Sequence, residues 1–123
     1  MDRREIEEVI QNYFDASFEG NGAKMRAVFH PEAHIYGLDA DGKLTDWPSG
    51  FFAEMIDHPP KPRPDGWKRE EMIYSIDFTG TDAAVARVGL LVDSNFYTDI
   101  LSFLRIDGRW GVIAKVLSGV KRQ

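Results

Sequence analysis

Three stretches of this 123-residue chain carry residue types that could do chemistry. His30-Pro31-Glu32-Ala33-His34 offers two imidazoles and a carboxylate, donors that a divalent metal accepts. Pro31 breaks the i,i+4 helix face that would align the two rings, and His58 is remote in sequence, so no metal site is expected. Asp39-Ala40-Asp41-Gly42 opens like a calcium loop but lacks the third oxygen ligand and the closing Glu, and reads as a hairpin turn. Lys115 stands in the apolar run Val112–Leu117, where alternation groups it with Ile113 and Leu117. A buried ammonium is costly unless paired. Lys115 therefore either snorkels to the sheet edge or sits in a pocket where it could bind an anionic or carbonyl group. Asp99 is its candidate partner only if a bulge turns it inward, because plain alternation groups Asp99 with Leu101 and Phe103.

Aromatic residues make up 12% of the chain, and Tyr and Trp tips favour half-polar pockets over dry cores. Tyr13, Trp47 and, on the third helix, Phe51 and Met55 are the candidates to line such a pocket.

The elements that must position these residues follow from periodicity. Ile6, Val9, Ile10, Tyr13, Phe14 and Phe18 predict an amphipathic helix over 3–19, with Asp2 and Glu5 as a capping box and Gly20-Asn21-Gly22 as its stop. A short helix over 22–29 ends at His30-Pro31. Strands over 33–38 and 43–46 flank the Asp39–Gly42 turn, and Pro48 begins a third helix over 49–57. His58–Gly66, with four prolines, is a loop. Four strands follow, over 68–79, 83–93, 96–107 and 109–118, joined by turn residues into an antiparallel meander. Helices first and strands afterwards predict a single α+β domain over 1–123.

Arg87 and Arg105 are expected on central strands, on the sheet face away from the helices, with Asp99 as the nearest carboxylate. Both faces of the late strands are apolar. Ile100, Ser102, Leu104 and Ile106 share one face of their strand, and Leu101 and Phe103 the other; Trp110, Val112, Ala114 and Val116 oppose Ile113 and Leu117 on the next. One face packs on the helices, and the other needs a second cover. A homodimer through an outer sheet face of Leu101, Phe103, Trp110 and Val112 is the expected arrangement.

Composition narrows the class without naming a function. Apolar residues are 43%, charged residues 28%, and the net charge is −5. These values exclude overall disorder and argue against non-specific binding to nucleic acid or anionic membrane. The absence of cysteine excludes disulfides, thiolate metal sites and a Cys nucleophile. No secretory signal or membrane span is visible, so a cytoplasmic location is the expectation.

The order of elements, the segment Val28-Phe29-His30-Pro31-Glu32-Ala33 and the closing run Phe96–Trp110 continued by Gly111-Val112-Ile113-Ala114-Lys115-Val116 resemble the nuclear-transport-factor-2-like superfamily, in its SnoaL-like or lumazine-binding branch. The resemblance covers nearly the whole chain. It implies a cystatin-like cone, in which a strongly curved, mainly antiparallel sheet wraps the N-terminal helices round an internal pocket. Laid beside ketosteroid isomerase of the same fold, the oxyanion tyrosine falls on Tyr13, the protonated oxyanion Asp on Ser102 and the general base on Gly37, which has no side chain; that constellation is not retained. Laid beside scytalone dehydratase, the Asp falls on Tyr36, with His30 and His34 nearby. The combined expectation is a small-molecule pocket for a mostly apolar, aromatic or heterocyclic ligand, lined by Tyr13, His34, Tyr36, Trp47, Phe51, Met55, Ser102 and Lys115, with no cofactor. The alternatives are an isomerase, dehydratase or cyclase, and a non-catalytic dimerisation module.

Overall fold

The computed structural model describes residues 2–57 and 68–121. Helix α1 (Asp2–Glu19) turns Ile6, Ile10, Tyr13, Phe14, Ala16 and Ser17 inward, the stripe its periodicity predicts. Asp2 lies inside the helix rather than before it; its carboxylate accepts from Trp110 Nε1 at 3.2 Å and faces Arg105 at 3.5 Å. Gly20, at φ +65°, ends the helix. Helix α2 (Gly22–Val28) is capped by Asn21, whose side chain accepts the Lys24 N–H at 3.0 Å.

Strand β1 (Phe29–Leu38) begins earlier than expected and carries His30-Pro31. Strand β2 (Leu44–Pro48) ends on Pro48, so the proline closes a strand; helix α3 (Ser49–Asp57) starts just after it. Strands β3 (Glu71–Thr79), β4 (Ala83–Val92), β5 (Asn95–Ile106) and β6 (Arg109–Lys121) form the meander. The expected loop 58–66 lies outside the described residues.

The six strands make one curved, unclosed sheet in the order β2-β1-β6-β5-β4-β3. All neighbours are antiparallel except β1 and β6, whose parallel pairing joins the N-terminal hairpin to the meander. The fold is α+β, with the helices on the sheet's inner face. No helix among the described residues is long and apolar enough to cross a membrane.

The inner face corrects the expected dimer surface. Leu101, Phe103, Trp110 and Val112 are all buried in the core with Ile6, Ile10 and Val88. Alternation separated the two faces of β5 but did not say which one meets the helices. On β6 the alternation itself breaks. Phe103 pairs with Val112 and Ser102 with Ala114, leaving Ile113 as an extra residue. This bulge reverses the parity of the strand: Trp110 and Val112 point inward before it, and Lys115 is buried after it.

Arg105 also differs from expectation. Arg105 lies on the helix side, bound to Asp82 at 2.9 Å and near Asp2, while Arg87 stays exposed with its guanidinium 4.6 Å from the Tyr74 ring centroid. Neither meets Asp99.

Candidate active site

The register of β5 against β6 sets Asp99 opposite Leu117 and Leu101 opposite Lys115, so Asp99 and Lys115 are diagonal neighbours on the inner face. Plain alternation on β5 turns Asp99 inward, and the bulge on β6 does the same for Lys115. Helix α1 places Tyr13 between them. Its hydroxyl donates to Asp99 Oδ2 at 2.5 Å and accepts from Lys115 Nζ at 2.7 Å. The ammonium and the carboxylate are themselves 4.0 Å apart, so the phenol is the bridge. Lys115 Nζ also lies 4.1 Å from the Phe52 ring centroid and 4.8 Å from that of Tyr13.

All three side chains are almost fully enclosed: Tyr13 is 2% exposed, Asp99 1% and Lys115 3%. Burial raises the Tyr13 pKa well above that of a free phenol, and the Asp99 charge adds to it, so Tyr13 keeps its proton. Burial lowers the Lys115 pKa, and the Asp99 charge opposes that shift. Among the described residues Asp99 Oδ1 has no hydrogen-bond partner. A buried acceptor left in this way costs about 1–3 kcal/mol, which a ligand donor or a transferred proton would recover.

The triad stands at the wall of a cavity of about 240 Å³. Trp47, Phe52, Met55, Ile56, Leu90, Val92, Tyr97 and Leu117 form its apolar lining, and Tyr13, Ser17, Asp99 and Lys115 contribute polar groups. Helix α3 supplies Phe52, Met55 and Ile56 from successive turns. A larger, more open hollow of about 440 Å³ lies between the end of α2 and the β5–β6 hairpin. Its charged residues, among them Arg26, Asp107 and Arg109, are solvent-exposed, so their charges are screened. The enclosed Lys115, Tyr13 and Asp99 groups make the smaller cavity the candidate site.

Residues 1–118 match the family model described as "Putative lumazine-binding". The chain belongs to this family. It is similar to Aldolase FrzH of Cladobotryum sp, at 29% identity over 111 residues, covering 89% of this chain and 85% of that protein. Among solved structures it resembles an NTF2-like protein of Shewanella baltica OS155, with a TM-score of 0.86, 30% identity, and 97% and 94% of the two chains covered. An NTF2-like protein of Methylobacillus flagellatus KT gives a TM-score of 0.81 at 29% identity, covering 97% and 92%.

Within this lumazine-binding-like fold, Tyr13, Trp47, Met55 and Lys115 line the cavity. The other four expected residues do not. His34 and Tyr36 lie on the face of β1 opposite buried Ile35, stacked on each other, with His34 Nδ1 2.6 Å from Asp46. Phe51 is 47% exposed and packs edge-on to Trp47, because α3 turns Phe52 inward instead. Ser102 lies across the sheet from Leu101 and Phe103. The carboxyl at the cavity wall is that of Asp99, three residues earlier on the same strand and on its inner face. Asp99 is legible in the sequence as a conditional partner of Lys115 and as the nearest carboxylate to Arg87 and Arg105, and Tyr97, Leu90 and Leu117 give no signal beyond strand apolarity. Of the histidines, His30 Nδ1 accepts the Glu32 N–H at 3.0 Å, and His58 lies outside the described residues. The Asp39 turn is a hairpin closed on itself, Asp39 Oδ1 accepting the N–H groups of Asp41 and Lys43, each at 2.9 Å.

Proposed function

We propose that the protein is an enzyme acting on a small, mostly apolar carbonyl compound, in which the proton on the carbon next to the carbonyl is removed and returned or replaced by a new carbon bond. The observation that carries this reading is the buried Lys115–Tyr13–Asp99 chain at the wall of an apolar cavity, with Asp99 Oδ1 unpartnered among the described residues. A plain binding pocket has no need of an enclosed ammonium, phenol and carboxylate, each costly to bury. In this mechanism the ligand carbonyl meets Lys115, the base Asp99 takes the adjacent proton, and Tyr13 fixes the distance between them. The apolar walls hold the rest of the ligand and exclude water. The similarity to a protein named an aldolase supports the same class of step.

The test is deuterium exchange. The protein is incubated in D₂O with a panel of aryl-alkyl ketones and aldehydes, beginning with 4-phenyl-2-butanone, and label on the carbon beside the carbonyl is read by NMR. Enzyme-catalysed exchange is expected, falling about 100-fold or more in Asp99→Asn. Binding of the probe, seen as a change in tryptophan fluorescence that Trp47→Phe removes, without exchange would leave a binding protein and remove the catalytic reading.

We propose further that the protein is a homodimer through the outer sheet face. Val85, Ile100, Leu104 and Val116 are exposed there on adjoining strands, an apolar patch of the kind that marks an association surface.

A further inference from the structure

We propose that Lys115 is a covalent nucleophile, whose Nζ condenses with the ligand's carbonyl carbon to form an iminium. This rests on the carbonyl reading of the cavity and specifies how the carbonyl is activated there. Three geometric features point to it. Lys115 lines the cavity, and its one hydrogen-bond partner among the described residues is the Tyr13 hydroxyl, so two of its N–H bonds are uncommitted there. The carboxylate is 4.0 Å away, the long limit of an ion pair, and the phenol hydroxyl is hydrogen-bonded to both groups. The relay Nζ to Tyr13 hydroxyl to Asp99 Oδ2, with steps of 2.7 and 2.5 Å, gives the ammonium proton a path off the nitrogen. Burial among Phe52, Leu117 and the Tyr13 ring lowers the cost of the neutral amine, in keeping with the depressed pKa.

The step balances without a co-reactant. The ammonium passes one proton through Tyr13 to Asp99, and the neutral amine adds to the carbonyl carbon. The carbinolamine oxygen collects the proton held at Asp99 and leaves as water while the nitrogen lone pair forms the C=N bond. Ammonium plus carbonyl compound thus become iminium plus water. The iminium then withdraws electrons from the neighbouring C–H bond; Asp99 takes that proton, and the bonding pair moves into the enamine.

Reductive trapping tests the proposal. Full-length protein at pH 7 is treated with 4-phenyl-2-butanone and sodium cyanoborohydride, and the intact mass and peptide map are read. The expected result is one adduct, heavier by the ketone's mass less one oxygen, located on Lys115 and absent from Lys115→Arg and Lys115→Met. A second readout does not depend on the reductant. Wild-type protein should wash ¹⁸O from the labelled ketone carbonyl into solvent about 100-fold faster than Lys115→Arg, because hydrolysis of the iminium exchanges that oxygen. The same ketone is run in the D₂O assay. Deuterium exchange with neither adduct on Lys115 nor ¹⁸O loss overturns the covalent step and leaves the proton-transfer reading standing. Absence of all three signals overturns both.

Discussion

Tyr13 is hydrogen-bonded to both Asp99 and Lys115, and the coupling of those two charges has a sign that can be measured. Burial pushes Lys115 below the usual lysine value, and the Asp99 charge partly restores it. Removing that charge in Asp99→Asn leaves burial unopposed, so the Lys115 pKa should fall further. The folded chain already holds this proton less tightly than the unfolded chain, so the penalty for burying Lys115 is present below its folded pKa and is relieved as pH rises towards 10.5. The variant should extend that relief to lower pH. Titration of the Lys115 ¹⁵Nζ resonance reads the midpoint directly. An acidward move is expected; an unchanged or alkaline midpoint would mean that Asp99 does not govern the charge on Lys115. Sequence showed both residues but not their meeting. Lys115 is legible as a charge in an apolar strand, whereas alternation groups Asp99 with Leu101 and Phe103, the face expected to point outward, and only the fold turns that face inward.

At the scale of elements, α3, which lines the cavity, packs closely against α2. Gly22 opens α2 against α3, its N–H donating to Asp57 Oδ1 at 2.9 Å. A Cβ there would lie 2.7 Å from the backbone oxygen of Ala53 and 2.9 Å from Asp57 Cβ, too close without movement of the α3 backbone. Gly22→Ala gains about 1 kcal/mol of helix propensity at most, near the helix start, against roughly 1–3 kcal/mol of overpacking. Net destabilisation of about 1 kcal/mol is expected in urea unfolding, with weaker probe binding because α3 carries Phe52, Met55 and Ile56. A variant as stable as wild type that binds equally well would show that the α2–α3 contact does not set the cavity. The existence of these helices was readable from spacing and from the Gly20-Asn21-Gly22 break. The bulge at Ile113 was not, because nothing in the run Val112–Leu117 distinguishes an extra residue from a paired one. Only cross-strand register against β5 reveals the slip, and with it the inward turn of Lys115. His34 and Tyr36 show the same limit: neighbouring Ile35 and Gly37 are buried, and a one-residue difference in parity moved both candidates off the cavity.

For the whole molecule, the apolar character of both faces of the late strands is legible in the sequence, but alternation alone does not say which set faces outward; the outward set is Ile100, Leu104 and Val116, not Leu101 and Phe103. Phe103 is 1% exposed, so a charge there would disrupt the core and report nothing about association. Ile100, 44% exposed, and Val116, 48% exposed, are cross-strand partners on the opposite face, bordered by Val85 and Leu104. Each chain carries a net charge of −5, so two copies repel at long range and association must come from apolar burial. Ile100→Glu sets a carboxylate into that surface, and Ile100→Glu with Val116→Glu sets two. In a dimer these groups would be desolvated without partners, a cost of several kcal/mol; in a free chain they remain in water. Sedimentation velocity at micromolar concentration should show the wild type as two chains and the double variant as one. Thermal unfolding of the double variant, extrapolated to the single chain, should change little because both positions are half-exposed there. A wild type that sediments as one chain, or a double variant that stays paired, would remove this face as the interface. The same variants also separate the interface from the cavity. The Lys115–Tyr13–Asp99 chain lies wholly within one protomer, so a monomeric variant that still exchanges the ketone's proton would show that the site needs no second copy.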